Sequence, residues 1–157
     1  MIPAQPLPAT VLYLDSNAAA RRVFTATFGT VFTLRTAESA QDAWNILGQG
    51  GVHVLIAAQG VPEMKGAAFL YLVRRTCPSV HRMLAMDHAD PQVIIDALNR
   101  GGVCHFISQP WDIEEVRDAV ATAFARCQAE QDRAAFTERL VESNRQLEFA
   151  LRQHLLS

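Results

Sequence analysis

Short apolar runs alternate with amphipathic stretches from Thr10 to Cys127. The runs Thr10–Asp15, Val31–Thr36, Val52–Ala57, Val80–Met86 and Val103–Ser108 are rich in Val, Leu, Ile and Phe, as expected of strands covered on both faces. Between them apolar positions recur at helical spacing, as at Ala40, Ala43, Trp44 and Leu47. Helix starts are marked by Ser39 with Asp42, by Asp90 before Pro91, and by Asp112 with Glu115; Gly48, Gly50, Gly51, Gly101 and Gly102 mark stops. Five strand–helix units with short connections predict an α/β, doubly wound parallel sheet of five strands with helices on both faces. Ligands of such sheets sit beyond the carboxyl ends of the strands, where the strand order reverses.

The helical pattern continues past Gln128 without Pro or Gly to Ser157. Some thirty further residues would add about 45 Å of helix, too long to lie on so small a domain. Phe136, Leu140, Ser143, Leu147 and Ala150 alternate spacings of four and three, a heptad seam. Leu151 and Leu155 widen it. An isolated helix of this kind is marginal in water, so the stripe needs a cover, and a parallel coiled coil between two copies is the expected one. A solvated, fraying helix, or a stalk leading to an output domain, are the alternatives.

Composition narrows the classes. Half of the 157 residues are hydrophobic and 19% are charged, which fits a domain with a core rather than a solvated chain. A net charge of −2 advertises neither nucleic acid nor anionic membrane. No apolar run is long enough to span a bilayer, and Met1–Ala9 lacks the features of a signal peptide. The chain reads as cytoplasmic. Cys77, Cys104 and Cys127 are too scattered for a disulfide framework or a zinc site and read as buried thiols.

The residues at the expected working edge are Asp15, Ser16 and Asn17, then Ala57 to Gly60, then Met86, Asp87 and His88, then Ser108 to Trp111. With Val11–Asp15, Val61–Gly66, Ala89–Asp90, Asn99–Phe106 and Ser108–Asp112, in order and at family-like spacing, the chain resembles the receiver domain of bacterial two-component response regulators. The resemblance implies a flavodoxin-like strand order 2-1-3-4-5. It divides the chain into residues 1–9, disordered or extended; 10–127, receiver-like; and 128–157, the helical extension. Receivers take phosphate from a histidine kinase onto an aspartate. That chemistry needs a carboxylate nucleophile after strand three, acids after strand one for Mg²⁺, a hydroxyl after strand four and a cation after strand five.

Mapped onto this chain, only the first acid is kept, as Asp15. Ser16 stands for the second acid, Ala58 for the nucleophile, Met86 for the hydroxyl and Gln109 for the cation. Phe106 matches the family's switch aromatic. The losses belong together, because a buried cation without its anion is costly and Gln109 removes the charge while keeping an amide. The resemblance therefore implies a degenerate, non-enzymatic receiver with a mostly apolar pocket and neither cofactor nor metal. It would work through protein partners: itself, as a homodimer seamed by Phe136, Leu140, Leu147 and Ala150, and a histidine kinase or output domain. No nucleic acid or membrane contact is expected. A phosphoacceptor using Glu63 or Asp87, and a small-ligand sensor, are the alternatives. Asp15 reads as a helix cap rather than a relic ligand, and Asp87 with His88 as polar loop residues rather than a metal site. Trp111 marks either a binding face or packing against the last helix; His53 reads as a strand-edge or core histidine.

Overall fold

Among the described residues (6–87, 90–100 and 102–156) of the computed structural model, strands and helices alternate strictly. They are β1 Leu7–Leu14, α1 Ala18–Phe28, β2 Phe32–Ala37, α2 Ala40–Gly48, β3 Val54–Ala58, α3 Gly66–Thr76, β4 His81–Met86, α4 Pro91–Arg100, β5 His105–Ser108 and α5 Ile113–Leu156. The sheet is parallel in the order β2-β1-β3-β4-β5. The chain leaves β1 toward β2 on one side and resumes at β3 on the other, so a cleft opens where these connections part.

Strand alternation sorts the apolar residues into two layers. Val11, Tyr13, Val54, Ile56, Met83 and Ile107 meet Phe24 and Phe28 of α1 and Val116, Val120 and Ala123 of α5. Leu12, Leu14, Leu55, Ala57, Leu84 and Met86 face the opposite way, onto Ala43 and Leu47 of α2 and Phe69, Leu70 and Val73 of α3. Both faces are covered, which is why the strands lack a polar alternation.

Three expected helix starts hold. Ser39 accepts from Asp42 N at 3.1 Å, Asp90 Oδ1 from Gln92 N at 2.9 Å, and Asp112 Oδ1 from Glu114 N at 3.1 Å. Residues 7–9 belong to the sheet: Leu7 pairs with Phe32, and a register shift follows before Thr10. Pro8 lies in that irregularity, where its missing N–H removes no regular ladder bond. The Thr10 N–H donates instead to Nδ1 of His53 at 3.0 Å, giving this histidine its role at the mouth of β3.

The first compact unit ends at Phe124, and residues from Ala125 form a second, three positions before the expected limit at Cys127. Within that second unit the chain is helical to Leu156, and Phe136, Leu140, Leu147 and Ala150 are all exposed. No helix among the described residues is long and apolar enough to cross a membrane. Of the three thiols expected to be buried, Cys127 is buried, Cys77 only partly so, and Cys104, which precedes β5, is exposed. None of the three cysteines is in a disulfide.

Candidate functional site

A cavity of about 600 Å³ lies at the carboxyl ends of the strands, and Asp15, Ser16, Ala58, Met86 and Gln109 all line it. The five residues singled out in the sequence thus share one cavity. Phe106 is elsewhere: it is partly buried and packs on the layer shared with α2 and α3.

Asp15 is the most constrained of the five. It is 8% exposed. Its Oδ2 accepts from the Tyr13 hydroxyl at 2.7 Å and its Oδ1 from Asn17 N at 2.9 Å, while its backbone oxygen accepts from Arg21 Nη1 at 2.7 Å. The expected cap role passes to Asn17, whose Oδ1 takes Ala19 N at 2.9 Å and Ala20 N at 3.2 Å. Asp15 stands two residues too early to reach the free amides of α1. Tyr13 stacks on Phe24 at 4.0 Å between ring centroids. Burial first, and then the hydrogen bond and charge of Asp15, push its phenol far above the usual range, so it remains a donor.

At the end of β3, Ala58 presents only a methyl group. A Cβ on Gly66 would strike the Ala58 carbonyl oxygen, so a glycine is needed for α3 to begin against the strand end. Gln59, which sequence reasoning passed over, binds the two together: its N–H donates to Ala85 O at 3.1 Å and its Oε1 accepts from Ala67 N at 2.9 Å. The residue before α3 is Lys65, which has no acceptor to offer, and that absence is the signal that could have pointed to a remote cap. Met86 is buried on the α3 side. Gln109 N–H donates to Met86 O at 3.0 Å, and Gln109 is followed by a cis peptide bond to Pro110.

The cavity departs from the expected apolar pocket. Its floor is Ala58, Ala85, Met86 and Val93, but Asp15, Asp87 and Asp90 stand around it with Ser16, Asn17, Gln59 and Gln109. Ala58, Ala85 and Met86 come from strand ends and Val93 from α4, while the polar lining comes from the connecting loops, so the apolar strand pattern governs only part of it. No Lys, Arg or His is among its described lining residues. His88 lies outside the described residues; among those described, no three His, Cys, Asp or Glu side chains are grouped to hold a metal. Glu63 faces another duty, since its Oε1 accepts from Ala40 N at 3.1 Å at the start of α2. Trp111 packs on the layer that α1 shares with Val116, Val120 and Ala123 of α5, as the packing alternative expected. Its ring meets Phe24 edge-on at 5.4 Å and Tyr13 at 6.1 Å, inside the layer shared with α1.

No family model matches the chain. Its fold is that of the response-regulator receiver: the signal receiver domain of an HD domain-containing protein from Pseudomonas fluorescens Pf-5 superposes with a TM-score of 0.74 at 26% identity, over 84% of this chain and 98% of that one. In sequence the chain is similar to the hydrogenase transcriptional regulatory protein HoxA. The HoxA of Cupriavidus necator is 30% identical over 115 residues, 73% of this chain, and that of Bradyrhizobium diazoefficiens is 28% identical over 71%. The chain spans about a quarter of the length of these curated relatives, 24% in each.

Proposed function

We propose that this chain is a receiver module that signals without accepting phosphate, through protein contacts and self-association. The observation that carries the reading is the side chain at the end of β3, a methyl group at Ala58 in a cleft whose described lining holds no cation. Phosphoryl transfer to a carboxylate needs a nucleophile, a metal held by several oxygens and a positive charge for the developing phosphoryl oxygens. Here Ala58 stands where the first is expected and Gln109 where the third is needed, and the two oxygens of Asp15 each accept a hydrogen bond, from Tyr13 and Asn17.

Similarity to HoxA supports a place in a transcriptional regulator, with a histidine kinase or an output domain as the partner. The exposed seam Phe136, Leu140, Leu147 and Ala150 supports a parallel pairing of two copies through the C-terminal helix. Beryllofluoride, which mimics a bound phosphoryl group, tests the reading. Its addition with Mg²⁺ should leave the amide spectrum unchanged, whereas shifts clustered at Ala58, Met86 and Gln109 would overturn it. The cavity of about 600 Å³ supports a second reading, a small-ligand sensor, for which a ligand-dependent rise in melting temperature would be the sign.

A further inference from the structure

The C-terminal helix runs unbroken to Leu156, and every position from Gln128 to Leu156 is exposed. Along it Leu140, Leu147 and Leu151 form one row, 49%, 61% and 62% exposed. The polar member of that row is Asn144, four residues after Leu140 and three before Leu147. Leu140 and Leu147 thus share one core position of a heptad, and Asn144 and Leu151 share the other. The Asn144 amide bonds to no described residue, while Gln146 beside it donates to Glu142 Oε1 at 3.4 Å along the helix. Apolar residues border the row on both sides, Phe136 and Ala150 on one and Val141 and Leu155 on the other. A two-stranded coil needs the two core positions alone, so a face this wide also suits three or four strands.

We propose that Asn144 selects the partner of this helix: a second copy of the chain, parallel and in register, and no larger bundle. The inference rests on the self-association reading above and names the residue that decides its form. An amide is both donor and acceptor, so two Asn144 side chains that face each other satisfy one another. A parallel, unshifted pair brings them together and sets each leucine of the row against its own equivalent. An antiparallel coil sets one kind of core position against the other, so the amide would meet a leucine. Sliding one helix by a heptad sets Asn144 against Leu151. Either arrangement buries an amide without a partner, which is costly. Charge favours the same pairing, because the one charged residue bordering the row, Glu148, then faces Ser143 of the second copy rather than another acid. A single polar core layer fixes register and strand number at a cost in affinity.

The test is sedimentation equilibrium of the full parent chain and of Asn144→Leu. Asn144 is exposed and lies beyond the first compact unit, so the substitution spares the packing of that unit. The parent should be a dimer. Asn144→Leu should associate about tenfold more tightly and form species heavier than a dimer. Air oxidation of Asn144→Cys and, separately, of Leu151→Cys should add a disulfide at the substituted position, identified by peptide mass against the oxidised parent. A dimeric parent with Asn144→Leu neither tighter nor heavier overturns the inference and leaves self-association standing. So does the failure of either cysteine substitution to cross-link. A monomeric parent removes self-association itself, and the inference with it.

Discussion

Tyr13 and Asp15 form a pair buried under the cleft, and each sets the other's chemistry. Without the phenol the carboxylate keeps Asn17 N but loses its second donor, in a place where water has little access. Tyr13→Phe should cost about 2 kcal/mol, read from urea unfolding, because a hydrogen bond to a charged acceptor is lost. The phenol also carries a pH signature. Its folded pKa lies above its unfolded value of 10.0, so its contribution is fully present below that pH. As pH rises beyond it, the unfolded chain loses a proton that the folded chain keeps, and stability falls. Unfolding midpoints measured from neutral into alkaline pH should decline more steeply for the parent than for Tyr13→Phe. At this scale the sequence was partly legible. Asp15 was found but misread as a cap, because two positions of offset decide which side chain reaches the amides of α1. Gln59 was invisible as a cap, since it acts on Ala67 eight residues away across a loop.

Strands and helices were more legible than their ends. Continuous apolar runs mark strands covered on both faces wherever they occur, and local caps such as Ser39 and Asp112 follow from neighbouring residues alone. The start of β1 escaped because Pro8 reads as a breaker until the register shift with β2 is known. The meeting of β3 with α3 offers a sharp test of the packing. Gly66→Ala would drive a methyl group into the Ala58 carbonyl. It should lower stability by about 2 kcal/mol, seen as a lower urea midpoint, since either backbone has to move. The same strand end bears on the chemistry. Ala58→Asp supplies a carboxylate but joins Asp15 and Asp87 in a cleft with no cation among its described lining residues, so it should remain unphosphorylated by acetyl phosphate in intact mass spectra. A phosphorylated Ala58→Asp would show that Gln109 and Tyr13 are no obstacle.

For the whole molecule, topology and the convergence of five residues on one cleft followed from the strand pattern together with the receiver resemblance. The polar rim did not, because loop residues carry no periodicity that says which way they face. The C-terminal helix was legible as a helix, and its cover is a matter for measurement. Light scattering on the 17.3 kDa chain should give the mass of a dimer, and Leu140→Glu with Leu147→Glu should give a monomer. A parent that is monomeric at all concentrations would remove self-association from the account.

The central claim is that this cleft takes no phosphoryl group. The most direct measurement is the intact mass of the parent chain after incubation with acetyl phosphate and Mg²⁺. The account predicts an unchanged mass. A stoichiometric gain of one phosphoryl group, mapped to Asp87 or any other acid of the cleft, would contradict it.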